Sequence, residues 1–188
     1  TLRIMTWNIW HGGREDGEKV GPVRVAEVIK KSRADIVLMQ ETYGSGQLIS
    51  KDLGFHLLPR GTHLSIHSRY PILEDISVHE KFKCVGALIE HPGGQRVACY
   101  GIWLPYAKDI WLPGVRQSLD KAMLVAACRP SAKDLKLIRD GIKQRLSDKK
   151  YADVSVVIAG DFNSMSHFDY SSKAVSQYRQ VIDWPTSH

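Results

Sequence analysis

The stretch Val154-Ser155-Val156-Val157-Ile158-Ala159-Gly160-Asp161-Phe162-Asn163 is an apolar run that ends in an acid and an amide. An apolar run of this length, closed by glycine, predicts a buried β-strand. Residues two apart on an extended segment point to the same side, so Asp161 and Asn163 are expected to face one spot. A carboxylate and a neutral amide at one spot suit a phosphoryl group that has to be attacked and stabilised at once.

Two earlier apolar runs end in polar residues of the same kind. The run from Leu2 to Trp7 ends in Asn8, and the run from Asp35 to Met39 ends in Gln40 and Glu41. Ligands of layered α/β proteins bind beyond strand ends, so these side chains are expected to meet at one rim. Taken singly, each could simply begin a turn, because Asn and Asp are common in turns. The shared arrangement favours a site made by Asn8, Glu41, Asp161 and Asn163.

Four motifs stand in order along the chain and carry a resemblance to a known family. They are Thr6-Trp7-Asn8-Ile9-Trp10, Gln40-Glu41, Ser68-Arg69-Tyr70-Pro71-Ile72 and Gly160-Asp161-Phe162-Asn163. Together they resemble the endonuclease/exonuclease/phosphatase superfamily of metal-dependent phosphoesterases, which includes pancreatic-type deoxyribonuclease and abasic-site endonucleases. The resemblance implies one domain over residues 1–188. Its implied fold is an α/β protein, a four-layer α/β/β/α sandwich of two mixed sheets.

The resemblance also implies a chemistry, the hydrolysis of a phosphoester with a divalent cation. Glu41 is expected to bind Mg²⁺, with Mn²⁺ as an alternative, because hard cations prefer carboxylate oxygens. Asn8 would lie beside it and hold the metal or a phosphate oxygen. Asp161 would orient or deprotonate the attacking water. Asn163 would donate to the developing oxyanion, since an amide donates without adding negative charge.

Further residues are candidate substrate contacts. Trp103 stands where many family members carry a histidine, and Trp103 and Tyr106 either line the cleft or pack in the core. Arg69 either contacts phosphate or belongs to the turn before Tyr70-Pro71.

Two histidines follow the motifs closely and are candidate general acids or substrate contacts, His11 and His167. A loop histidine near a site can move a proton at neutral pH. A histidine that is merely solvent-exposed is the commoner case. The histidines at positions 63 and 67 rank below these two.

The end of the chain departs from the family pattern. No strand bearing Ser-Asp-His follows Asn163, and Ser187-His188 comes after Trp184-Pro185 without the aspartate. We therefore expect a fragment that holds about three quarters of the domain and lacks about 60–80 residues. The alternative to an enzyme is a catalytically inactive family member or fragment that acts as a binding or scaffold protein.

Composition sets coarser bounds. A hydrophobic content of 43% and a charged content of 24% are ordinary for a soluble globular domain. The absence of a run of about 18 apolar residues predicts that no segment spans a membrane. The net charge of +6 suits a phosphate-ester substrate without selecting nucleic acid, which stays one candidate class. Oligomeric state and compartment, secreted or cytoplasmic, stay open.

The cysteine spacing and the local sequence patterns give further expectations about metal sites, disulfides, turns and helices. Cys84, Cys99 and Cys128 lack the spacing of a structural zinc site, and a disulfide between the first two requires adjacent strands. Residues 92–94 predict a hairpin turn between two strands. A helical stretch from 114 to 150 is expected to be interrupted at Arg129-Pro130.

Overall fold

The computed structural model describes residues 1–105, 118 and 120–163. The chain divides into two units. The first comprises Thr1–Trp103 with Leu137–Asp161, and the second comprises Leu104–Lys136 with Phe162–His188. Both sheets described below belong to the first unit.

The first sheet has the strand order β1-β2-β4-β3. Its strands are β1 (Ile4–Asn8), β2 (Ile36–Gln40), β3 (His56–Arg60) and β4 (Leu64–Ser68). β1 and β2 are parallel, while β4 runs antiparallel to β2 and to β3. The carboxyl ends of β1 and β2 therefore lie at the edge of the sheet where β4 begins.

The second sheet has the strand order β5-β6-β7-β8. Its strands are β5 (Ile72–Asp75), β6 (Cys84–His91), β7 (Gln95–Trp103) and β8 (Ser155–Asp161). β7 and β8 are parallel and the other pairs are antiparallel. The predicted turn at residues 92–94 joins β6 to β7. Because β7 and β8 end together, Trp103 lies opposite Asp161.

The helices are α1 (Trp10–Gly13), α2 (Val20–Ser32), α3 (Gly46–Leu53) and α4 (Lys121–Arg145), with a 3₁₀ turn at Lys149–Tyr151. Apolar residues at helical spacing give α2 one buried face, formed by Val25, Ala26 and Ile29. α2 ends at Ser32 and is capped by Arg33, which adopts a left-handed conformation and donates its backbone N–H to Lys30 O. This is the usual way to satisfy the last carbonyls of a helix.

The core of the first unit lies on both faces of β2. Successive side chains of a strand point to opposite faces. Val37 and Met39 accordingly pack with α2 and α3, and Ile36 and Leu38 pack against the second sheet. Every residue of β2 is buried, and burying an aliphatic side chain of this size contributes about 1.5–3 kcal/mol.

The last part of α4 covers the second sheet within the same unit. Ile138 and Ile142 are buried, and Arg145 Nη2 lies 2.5 Å from Glu74 Oε1 in β5. The layers are thus helices α2 and α3, the first sheet, the second sheet, and the end of α4. This arrangement confirms the predicted α/β class with two mixed sheets.

The structure also tests the expectations about the helix at Pro130, the cysteines and membrane spans. Helix α4 continues through Pro130, so the predicted interruption was wrong. Cys84 lies opposite Ile102 rather than Cys99, and both thiols are free although their strands are adjacent. Burial raises the pKa of the Cys84 thiol to about 11. Within the described residues, no helix is long and apolar enough to cross a membrane.

Candidate functional site

Asn8 joins two carboxylates at the carboxyl ends of the parallel strands. Its Nδ2 donates to Glu41 Oε1 at 2.8 Å and to Asp161 Oδ2 at 2.9 Å. Its Oδ1 accepts from the backbone N–H of Trp10 at 2.9 Å, which fixes which end of the amide faces the acids. The structure therefore brings together Asn8, Glu41 and Asp161, which are far apart in sequence.

Glu41 reaches this position through an unusual backbone conformation. The parallel pairing sets Asn8 beside Gln40, and the chain then turns at Glu41 with a φ of 58°. The Glu41 side chain is buried, and its Oε2 lies 3.4 Å from the backbone N of His11. A positive φ is uncommon for a residue other than glycine, and such strain is concentrated at functional sites.

Gly12 holds the loop that faces Glu41. Its N–H donates to Glu41 O at 2.7 Å, and its φ is 76°. A Cβ at this position would lie 2.9 Å from Thr42 O. Both the conformation and the close approach require glycine here.

Gly160, which precedes Asp161, has to be glycine because the neighbouring strand lies too close for a side chain. It lies opposite Ile102 in the parallel pairing of β7 and β8. A Cβ at Gly160 would lie 2.0 Å from Ile102 O, a distance that no neighbouring atom could tolerate. The absence of a side chain lets β8 run close to β7 and deliver Asp161 to Asn8.

A row of aromatic rings, here called the aromatic row, begins beside Glu41. Trp10 and His11 stack at 4.6 Å between centroids, and His11 lies edge-on to Tyr43 at 6.2 Å. Tyr43 in turn lies 5.4 Å from His63. The backbone at Trp10, His11 and Tyr43 also has positive φ, so the strained residues gather at this end of the sheet.

His63 occupies the inner end of the aromatic row. Its ring stacks on Phe82 at 3.8 Å and meets Trp103 edge-on at 5.0 Å. Burial lowers the pKa of His63 to about 4, against the opposing effect of the charges on Glu41 and Asp161. The imidazole is therefore neutral at pH 7.

Sequence reasoning ranked His63 below His11 and His167, and it did not predict the burial of His63 among aromatic rings. A single histidine before an apolar run carries no signal of its own. Its burial depends on Phe82 and Trp103, which arrive from distant parts of the chain. Its proximity to the acids depends on β4 beginning where β2 ends, with Leu64 opposite Gln40.

The other predicted site residues lie elsewhere or outside the described residues. Arg69 follows Ser68, which pairs with Ile36 at the far end of β2 from Glu41. Its Nε donates to Asp35 Oδ1 at 3.1 Å, so the structure does not bring it to the acids.

Asn163 is described within the second unit, where its Nδ2 donates to Leu104 O at 2.7 Å. Tyr106 and His167 fall outside the described residues. The roles assigned to these three residues stay predictions.

Comparison with known proteins gives relatives of low identity and shared fold. An uncharacterized protein of Caenorhabditis elegans is 24% identical over 199 aligned positions, which cover 99% of this chain and 61% of the relative. The chain thus spans about three fifths of that relative's length. A mannosyl-6-phosphatase of Bacteroides thetaiotaomicron superposes with a TM-score of 0.65 at 13% identity, over 96% of this chain and 71% of that chain.

A third comparison is with TDP2 of D. rerio, whose structure was solved with a single-strand DNA product. It superposes with a TM-score of 0.64 at 18% identity, over 89% of this chain and 63% of that chain. Residues 5–184 match the Endonuclease/Exonuclease/phosphatase family, and the chain belongs to that family.

Proposed function

We propose that this protein hydrolyses phosphoesters with Mg²⁺, using Glu41 to hold the metal and Asp161 to act on the attacking water. One observation carries the proposal. The two N–H groups of Asn8 gather the carboxylates of Glu41 and Asp161 at one end of the sheets. Membership of a family of phosphoesterases supports the same reaction class.

The chemistry of the donor set fits a hard divalent cation. Glu41 and Asp161 offer carboxylate oxygens, and Asn8, whose Nδ2 faces both acids, would hold these two side chains in place beside the cation. Mg²⁺ prefers oxygen ligands and is commonly held by one or two carboxylates with water completing its shell. When bound, the cation would neutralise charge on the phosphoryl oxygens. Mn²⁺ suits the same oxygen set.

Asp161, Asn8 and Asn163 would each have a separate role in the reaction. Asp161 accepts a proton from the attacking water as the water oxygen bonds to phosphorus. The ester P–O bond breaks, and the leaving oxygen takes a proton from solvent. Asn8 keeps Asp161 oriented through its 2.9 Å hydrogen bond. Asn163 is the proposed donor to the phosphoryl oxygen, because an amide N–H stabilises negative charge that develops there.

The proposed substrate is a phosphate ester, and the solved relatives suggest two classes, a sugar phosphate and a nucleic acid. One relative is a mannosyl-6-phosphatase, and TDP2 of D. rerio was solved with a DNA product. The exposed rings of Trp10 and Phe82 offer faces on which a nucleobase could stack. A nuclease would also lose affinity steeply with salt, because phosphate contacts release counterions.

The test compares hydrolysis of bis-p-nitrophenyl phosphate and p-nitrophenyl phosphate with and without Mg²⁺. We expect turnover that requires the metal and that falls to background in Glu41→Ala and Asp161→Ala. Addition of Mg²⁺ should also raise the melting temperature of the wild type and not of Glu41→Ala. A chain that binds Mg²⁺ at Glu41 without turnover would support the binding-protein alternative.

A further inference from the structure

Two fully buried histidines of the first sheet differ in their hydrogen bonds. His67 lies within β4, and Ser50 Oγ and Ser65 Oγ each lie 2.8 Å from one of its ring nitrogens. His63 immediately precedes β4, and within the described part of the chain neither of its ring nitrogens has a hydrogen-bond partner. Both rings are buried, but the nitrogens of His67 have hydrogen-bond partners and those of His63, among the described residues, have none.

Trp103 presents a second unsatisfied polar atom beside the first. Its Nε1 is buried and has no hydrogen-bond partner among the residues that the structure describes. The Trp103 and His63 rings meet edge-on at 5.0 Å. Leaving a buried donor unpaired is costly, and a catalytic role, a water molecule or an ion is among the usual reasons for such a group in a native protein.

The surroundings of the two rings indicate the direction in which a ligand would approach. Phe82 covers one face of His63 at an interplanar angle of 4°, so the plane of the imidazole is fixed and a ligand would reach its nitrogens along the ring edge. Trp103 lies opposite Asp161 in the pairing of β7 and β8. The unpaired donors therefore lie beside the same strand end as the carboxylates.

We propose that His63 and Trp103 donate hydrogen bonds to an oxygen of the phosphoester substrate, which makes His63 a further catalytic residue of this site. The inference rests on the proposed phosphoesterase function. A neutral imidazole keeps one N–H, and an indole N–H can only donate, so together they suit an acceptor. Neutral donors also bind a phosphate oxygen without forming ion pairs with Glu41 and Asp161.

The first experiment follows the histidine ring signals of the whole chain by ¹⁵N–¹H correlation spectroscopy. Inorganic phosphate is added in the presence of Mg²⁺, and His67 serves as the internal control because both its nitrogens are already bonded. We expect the His63 signals to move and the His67 signals to stay. Phosphate that binds at saturation without moving the His63 signals would overturn the inference.

The second experiment separates the two proposals through variants. His63→Phe keeps the stack on Phe82 and removes both nitrogens, and Trp103→Phe keeps a ring and removes the N–H. We expect each to lower kcat/KM by about 10- to 100-fold with an unchanged or higher melting temperature. His63→Asn, which restores a donor, should recover part of the loss.

The outcomes distinguish the inference from the function on which it rests. A wild type that turns over with a fully active His63→Phe variant would refute the role of His63 and leave the function standing. A wild type without turnover, in which Mg²⁺ binds nowhere near Glu41, would refute the function itself.

Discussion

The middle and the end of the first sheet each contain a buried histidine, and the two histidines differ in their hydrogen bonds. His67 in the middle and His63 at the end are both 0% exposed. Burial lowers the pKa of each to about 4. Yet His67 is bonded through both nitrogens, and His63 through neither within the described residues. Hydrogen bonds to His67 stabilise the middle of the sheet, whereas the ring nitrogens of His63 at its end are available to a ligand.

Backbone conformation follows the same division. β4 is regular, and every one of its residues is buried. At the end of the sheet, Glu41 and Tyr43 adopt positive φ, as do Trp10 and His11. Conformations of this kind persist only where the surrounding structure enforces them, which is typical of sites that hold groups in place for a ligand.

The two carboxylates that flank β2 provide the largest test of this division. Glu41→Gln should lower kcat/KM by at least about 100-fold, because it removes a charge expected to hold the metal. The melting temperature should stay the same or rise, since one of two neighbouring carboxylates loses its charge. Steady-state hydrolysis and thermal unfolding measure both effects.

Asp35→Asn is the matched control at the other end of β2. Asp35 accepts hydrogen bonds from Arg3 N at 3.0 Å and from Arg69 Nε at 3.1 Å. The variant should lose about 1 kcal/mol of stability and keep its activity within about twofold. Equal losses of activity in the two variants would contradict the division between the ends of the strand.

The serines around His67 test the middle of the sheet. Ser50→Ala and Ser65→Ala should each lower the free energy of unfolding by about 1–3 kcal/mol, because each leaves a buried imidazole nitrogen unpaired. Activity should be unchanged. Urea unfolding and steady-state kinetics provide the measurements.

Ser45→Ala is the control for these two serines. Ser45 Oγ is buried and, among the described residues, has no hydrogen-bond partner. Its removal should change stability by no more than about 0.5 kcal/mol. A loss as large as that of Ser50→Ala would mean that burial, and not hydrogen bonding, sets the cost.

The pH dependence of stability should register both histidines. Each has a folded pKa of about 4 against an ordinary value of 6.5, so the unfolded state binds more protons between these values. Stability therefore rises with pH across this window, by up to about 1.4 kcal/mol per pH unit for each histidine.

Removal of one histidine isolates its share of that slope. In His63→Phe the slope of stability against pH, between pH 5 and pH 6, should be smaller than in the wild type by about 1 kcal/mol per pH unit. Carboxylate titration contributes equally to both proteins. Urea unfolding at closely spaced pH values measures the slope. An unchanged slope would show that His63 is protonated to the same extent in the folded and unfolded states.

The sequence predicted the parts of the site that depend on strand ends. Asn8, Glu41 and Asp161 each close an apolar run, and parallel pairing is enough to bring such ends together. His63 could not be found in this way, because its neighbours Phe82 and Trp103 are set by tertiary packing.

The fold elements that sequence reasoning missed have local causes. β3 contains Pro59, which argues against a strand, yet β3 lies at an edge of its sheet where proline is tolerated. α3 is short and begins with Gly46, so its helical pattern is weak. α4 continues through Pro130, a residue that usually ends or kinks a helix, so packing overrides the local signal.

Backbone strain offers the smallest test, through glycine substitutions at two positive-φ residues. Arg33 has a φ of 57° at the end of α2, and His11 has a φ of 43° beside Glu41. Glycine removes the steric cost at either position, about 1–2 kcal/mol, and gives back about 0.4–1 kcal/mol through the entropy of the unfolded chain. Both variants should therefore gain up to about 1 kcal/mol in chemical denaturation.

Activity separates the two positions, because only one of them belongs to the end of the sheet that holds the acids. Arg33→Gly should keep wild-type kcat/KM, since a helix end needs only the left-handed conformation. His11→Gly keeps its N–H near Glu41 and loses the ring that stacks on Trp10, so its kcat/KM should fall by a few fold. If His11→Gly were stabilised and fully active, its strained conformation would be incidental, and the concentration of strain at the site would rest on Glu41.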